Sequence, residues 1–133
     1  MDFNSFMQKF ADEIDGQYSE YDNNRSVIVV KLPDERFQAV VGKKYKHEKY
    51  EREVVEFTSK VCHVEENIDY ASILRETQSL IHSKFIIGDD DYLKVESATY
   101  LDNCTEALLK EVIIEVANVA DEYEFKITGK DVN

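Results

Sequence analysis

Tryptophan is absent from this chain, proline occurs once, at Pro33, and there are two cysteines and four glycines in 133 residues. Each scarcity removes a class of protein. Cys62 and Cys104 supply neither a disulfide framework nor a complete zinc site, and unpaired thiols point to a reducing compartment. Gly16, Gly42, Gly88 and Gly129 are isolated, so no glycine-rich loop cradles phosphate and no Gly-x-Ser-x-Gly elbow carries a nucleophile. No Pro/Gly/Ser-rich linker and no repeat divides the chain, which predicts one domain over 1–128 and a short tail over 129–133. No apolar run approaches the ~20 residues needed to cross a bilayer. Met1-Asp2-Phe3-Asn4-Ser5 lacks the basic region and apolar stretch of a signal peptide, so a cytoplasmic location and no membrane partner are expected. Positive charge is also scarce: 16 Lys+Arg face 28 Asp+Glu, for a net charge of −12. That balance argues against duplex nucleic acid as a partner and suits solubility or a basic protein partner.

What is present is ordinary for a globular domain, with 43% hydrophobic and 33% charged residues. Phe3, Phe6, Met7, Phe10 and Ile14 form one helical stripe, with Asp2 placed to cap its start and Gly16 to end it. Asn23-Asn24 reads as a two-residue turn, because Asn tolerates positive φ, ahead of a strand through Val27-Ile28-Val29-Val30 and Leu32. Pro33 to Arg36 is turn chemistry. Phe37, Ala39 and Val41 then alternate along the next strand. A polar stretch from Lys43 to Glu53 reads as two strand ends joined near Lys46 to Lys49. The strand after it puts Val55, Phe57, Ser59 and Val61 on one face and Val54, Glu56, Thr58, Lys60 and Cys62 on the other.

A second helix capped by Asp69 follows, with Ile68 and Ile73 as a staple and Ile73, Leu74, Thr77, Leu80 and Ile81 as its stripe. Lys84 to Ile87 and Tyr92 to Leu101 are strands joined by Gly88-Asp89-Asp90-Asp91. Thr105 caps a last helix whose wide apolar face runs from Leu108 to Tyr123. The expected fold is α+β, an antiparallel sheet with helices on one face, in the order α-β-β-β(-β)-α-β-β-α. The other face then meets water, a second subunit or a client protein.

Chemistry-bearing residues do not converge. His47, His63 and His82 stand apart, with no ligand spacing. Cys62 and His63 are strand neighbours and point to opposite faces. Cys104 precedes a helix, but Asp102 and Glu106 oppose a lowered thiol pKa. The Asp89–Asp91 run lacks the oxygen spacing of a calcium loop. No catalytic residue, metal ligand or cofactor is therefore expected. The basic island from Lys43 to Arg52 holds five Lys/Arg against two Glu, with Tyr45 and Tyr50 interleaved. It reads as a solvated hairpin, or alternatively as a single-strand stacking platform. The wide stripe of the last helix reads as core, or alternatively as a dimer or client contact.

The segment Lys84-Phe85-Ile86-Ile87-Gly88-Asp89-Asp90-Asp91-Tyr92-Leu93-Lys94-Val95-Glu96, with Tyr100-Leu101-Asp102-Asn103-Cys104-Thr105-Glu106-Ala107-Leu108-Leu109 and the Ala120-Asp121 pair, resembles the later half of type III secretion chaperone-like domains. That group includes the secretion chaperones and the bacterial sensory-transduction-regulator domains. The resemblance implies a non-enzymatic, homodimeric module that holds an extended client segment. It implies that Val27, Val29, Val41 and Phe57 line a client-binding sheet surface and that Ile73, Thr77 and Ile81 serve subunit contact. Two readings compete: an acidic immunity-type inhibitor of a basic toxin or nuclease, and an enzyme with an unrecognised site.

Overall fold

The computed structural model describes residues 1–129; of the expected tail, 130–133 lie outside the described residues. The elements run α1 (Phe3–Glu13), β1 (Gln17–Asp22), β2 (Arg25–Leu32), β3 (Arg36–Lys46), β4 (Glu53–His63), α2 (Tyr70–Glu76), β5 (Lys84–Ile87), β6 (Tyr92–Tyr100) and α3 (Glu106–Thr128). The fold is α+β, in the expected order. All six strands form one antiparallel sheet, ordered β1-β2-β3-β4-β6-β5. Helix α1 lies over β1 and β2, and α3 lies over β3, β4 and β6. Both helices cover the same face, where Phe3, Met7, Ile28, Val40, Phe57, Val95 and Ile113 form one continuous core.

The capping chemistry is local. Asp2 Oδ1 accepts from the Ser5 amide, Asp69 Oδ1 from Ser72, and Thr105 Oγ1 from Leu108, each satisfying a helix-start donor. The end of α1 differs from expectation. Asp15, not Gly16, takes the left-handed conformation (φ 56°), and the Gly16 amide donates back to Ala11 O at 2.8 Å. Gly16 serves close approach instead, since a Cβ there would stand 2.6 Å from Val29 O on β2. Asn23 and Asn24 do turn the first hairpin, but neither has positive φ. Asp22 Oδ1 accepts from the Asn24 amide, and a bulge between Glu20 and Asp22 absorbs the twist.

Two further corrections concern β4 and α2. A register shift between Lys60 and Cys62 turns Cys62 inward beside Leu93, so it joins the core, not the outer face. The second helix is only 7 residues long and passes into a short 3-10 turn at Thr77–Ser79. Its expected stripe therefore breaks up: Ile73 is buried, while Leu74 and Ile81 are exposed. The Asp121 of the Ala-Asp pair has a structural task. It is 4% exposed and takes the Arg36 guanidinium through Nε at 3.0 and 3.2 Å and Nη2 at 2.9 Å, tying α3 to the start of β3.

Candidate functional site

Strand alternation carries Val27 and Val29 of β2 and Ala39 and Val41 of β3 to the face that no helix covers. Glu56, Thr58 and Lys60 of β4 and Lys94 and Glu96 of β6 join them. A half-open cavity of about 630 Å³ lies there, floored by Val27, Ala39, Val41 and Thr58 and walled by charged side chains.

Its origin is a parting of β3 and β4. The two strands pair from Lys46↔Glu53 only as far as Val41↔Thr58. Beyond that, side chains replace the ladder. Gln38 Nε2 donates to Lys60 O at 2.7 Å and to Ser59 Oγ at 2.9 Å, and Ser59 Oγ donates to Ala39 O at 2.6 Å. Gln38 is fully buried, so these bonds satisfy its amide nitrogen under the helices, while its Oε1 is buried with no partner among the described residues. The bulge after Lys60 lies at the same gap.

The charge on this wall runs against the rest of the chain. Arg25, Lys43, Lys60 and Lys94 line the cavity with two carboxylates, Glu56 and Glu96, in a protein whose net charge is −12. Glu56 is pushed above the ordinary glutamate range, first by burial and then by the charge of Glu96 beside it. The Tyr45 hydroxyl is pushed up by burial and then by Glu56 and Glu96. Lys43 pairs opposite Glu56 across the strands, and Lys84 Nζ reaches Glu96 at 3.4 Å. One wall thus holds two carboxyls and a phenol in mutual contact, with cations on either side.

The expected site residues divide into three groups. Val27, Val29 and Val41 sit together, half-buried, on the open face. Phe57 does not: it is fully buried beneath Phe3 on the opposite face, so it lines no client surface. Ile73 is buried in the core and is likewise removed from any subunit contact. Thr77 stands in the 3-10 turn, with its Oγ1 buried. Ile81 is 83% exposed in the loop beyond, part of a separate apolar surface with Phe10, Ile14 and Ile114. That loop is held by Glu115, whose carboxylate accepts the Ile81 and His82 amides at 2.9 and 2.8 Å.

The basic island spends much of its charge internally. Arg52 bonds Asp102 at 2.6 Å and lies 3.6 Å over the Tyr100 ring, while His47 stacks on Tyr50. Cys62 is pushed up in pKa by burial and then by Glu124 and Glu65, the opposite of an activated thiol. Among the described residues no three His, Cys, Asp or Glu side chains are placed to hold a metal ion, and no helix is long and apolar enough to cross a membrane.

Glu56, Lys60, Lys94 and Glu96 were not among the expected site residues. Their signal was available in the sequence as strand parity, because Arg25 of β2, Lys43 of β3, Lys60 of β4 and Lys94 of β6 fall on positions that alternate with the core.

No family model matches the chain. Similarity to curated proteins is confined to a segment: 1,4-alpha-glucan branching enzymes GlgB of Francisella tularensis subsp. novicida (strain U112) and subsp. mediasiatica (strain FSC147) are each 42% identical over 48 residues. That segment is 36% of this chain, and it spans 8% of the length of those enzymes.

Proposed function

We propose that this protein is a non-catalytic binding module of the secretion-chaperone-like kind. It holds an extended segment of another protein on the open face of its sheet, acts in the cytoplasm, and pairs with a second copy through the surface around Ile81. One observation carries the reading. A solvated antiparallel sheet presents polar side chains outward, yet the centre of this open face is a row of Val27, Val29, Ala39 and Val41 beside a cavity of about 630 Å³. An apolar row rimmed by charge is the composition of a contact surface.

The sheet edges are poorer hosts. β5 offers only 4 residues, and β1 ends in a bulge with Glu20 and Asp22 exposed. Face contact therefore outweighs strand addition. The free thiols Cys62 and Cys104 support the reducing compartment. The inhibitor reading keeps one supporting observation: Glu106, Glu111, Glu115 and Glu122 of α3 give the helix layer an acidic outer surface.

Titration of the labelled protein with capped, unstructured peptides rich in Val and Ser, followed by NMR, tests the proposal. Amide shifts are expected at Val27, Ala39, Val41 and Thr58, with loss of binding in Val41→Arg. Shifts confined to α3 in the presence of a basic folded protein would hand the case to the inhibitor reading. Light scattering of the parent and of Ile81→Asp reads the pairing, with a dimer expected for the parent and a monomer for the variant. A monomeric parent at high concentration removes that part of the proposal.

A further inference from the structure

We infer that the segment held on the open face is acidic, with two carboxylate side chains four residues apart flanking an apolar one. This rests on the reading of the open face as the client site and names the chemistry of its occupant.

Three of the nearby cations already have carboxylates: Arg25 with Asp22 at 3.4 Å, Lys94 with Asp90 at 3.0 Å, and Lys84 with Glu96 at 3.4 Å. Lys43 and Lys60 stand in no salt bridge among the described residues. Lys43 Nζ lies 4.9 Å from the Tyr45 ring and Lys60 Nζ 4.2 Å from the Tyr92 ring. The tyrosines fix the two ammonium groups without neutralising them. Lys43 faces Glu56 across the strands without an ion pair joining the two, and Glu96 beside Glu56 is already taken up by Lys84.

Val41 pairs with Thr58, Lys43 lies two residues beyond Val41 on β3, and Lys60 lies two residues beyond Thr58 on β4. The strands are antiparallel, so the two lysines bracket the Val41–Thr58 patch from opposite ends. Four strand steps separate them, about 13 Å along the strand direction. In an extended peptide, residues i, i+2 and i+4 share one face over the same ~13 Å. A Glu-x-Val-x-Glu segment lying along the face therefore sets its Val on Val41 and Thr58 and its carboxylates toward Lys43 and Lys60. The neighbouring Arg25 and Lys94 keep the approach attractive to an anion.

Three capped peptides test this, identical except for Glu-x-Val-x-Glu, Gln-x-Val-x-Gln or Lys-x-Val-x-Lys at the centre, each titrated by NMR in low and high salt. The Glu peptide is expected to bind tightest and to weaken as salt rises. Lys43→Gln and Lys60→Gln are each expected to weaken it about two- to fivefold, as for partly exposed ion pairs, with no effect on the Gln peptide. Equal binding of the Glu and Gln peptides on the open face overturns the acidic preference and leaves the face as a client site. Shifts of the Glu peptide that fall elsewhere, or that survive Val41→Asp, overturn the client face as well. Tighter binding of oligo-dT than of the Glu peptide at Lys43 and Lys60 assigns the cations to nucleic acid and overturns the inference. Concentration-dependent shifts at Val27 and Val41 without peptide assign the face to a second copy and do the same.

Discussion

Replacing Gly42 with Ala sets two known effects against each other at one buried position. Gly42 lies on the helix-covered side of β3, opposite Ser26 of β2 and Phe57 of β4. A Cβ added there would stand 2.5 Å from Met7 Cε, 2.9 Å from Phe3 Cζ and 3.1 Å from Phe57 Cε1, where carbon contacts normally settle at about 3.5–4.0 Å. Ala in a strand otherwise gains roughly 0.5–1 kcal/mol over Gly from the smaller entropy of its unfolded chain. Overpacking a filled core costs about 1–3 kcal/mol. Met7, Phe3 and Phe57 are all essentially without solvent exposure, so none can swing outward for free.

The net expectation is a loss of about 1–2 kcal/mol. With a urea m-value of about 2 kcal/mol/M, the unfolding midpoint falls by roughly 0.5–1 M. The cause is separable by a double-mutant cycle. Met7 is the closest contact and the most deformable, so Gly42→Ala in a Met7→Ala background should cost less by about 1 kcal/mol. A Gly42→Ala variant with a raised midpoint, or a cycle with no coupling, would refute the claim that Met7 and Phe3 of α1 fill the space over this glycine.

Two further predictions follow from the ion pairs. Asp121→Ala should cost about 2 kcal/mol, because it removes the buried carboxylate that takes the Arg36 guanidinium through Nε and Nη2, and Arg36→Ala should cost less in the Asp121→Ala background than in the parent. Equal and additive losses in urea unfolding would show that the two side chains act independently. The Glu56 carboxyl is held above its ordinary range, so the folded state binds this proton more tightly than the unfolded chain does. Stability then rises as pH falls through the raised value, and the ionised form costs stability above it. Glu56→Gln should raise the melting temperature at about pH 8 by roughly 2 °C, from a like-charge cross-strand repulsion of about 0.5 kcal/mol, and lose that gain near about pH 4. A gain independent of pH, read by calorimetry, would remove the Glu96 repulsion from the account.

The order of elements was legible because it rests on short-range rules. The Phe3–Phe10 stripe, the caps at Asp2, Asp69 and Thr105, and the alternation in β4 and β6 all concern residues within a few positions of one another. Faces were harder to read. The Lys60–Cys62 bulge reverses the parity of β4 partway along, and its determinant, Gln38, sits more than 20 positions away on β3. Phe57 obeyed the parity assigned to it and was still expected on a client surface. It lies beneath Phe3 because α1 folds back over the sheet, a contact between positions 3 and 57 that no local pattern carries. The positive wall was hidden by the global charge of −12, a sum over the whole chain that conceals the gathering of Arg25, Lys43, Lys60 and Lys94 on one sheet face.

That gathering bears on how an apolar row survives uncovered. Arg and Lys side chains lay their aliphatic stems over apolar surface while the charged ends stay in water. Arg25, Lys43, Lys60 and Lys94 stand around Val27, Ala39 and Val41, so the cations that draw an acidic segment also shield the row when it is empty. Two such faces meeting would oppose like charges, which disfavours face-to-face pairing of copies. The more dangerous contact is head-to-tail, the acidic helix layer of one copy on the basic face of the next, because such contacts propagate into open chains. Asp15, Asp22 and Asp90, bonded to Lys31, Arg25 and Lys94 at the margins, put negative charge where a flat helix layer would touch first. Lys43 and Lys60, farther inside, remain in reach of a single extended segment. The same arrangement that selects a narrow acidic ligand thus rejects a broad acidic surface, and it does so by where the ion pairs lie along the rim.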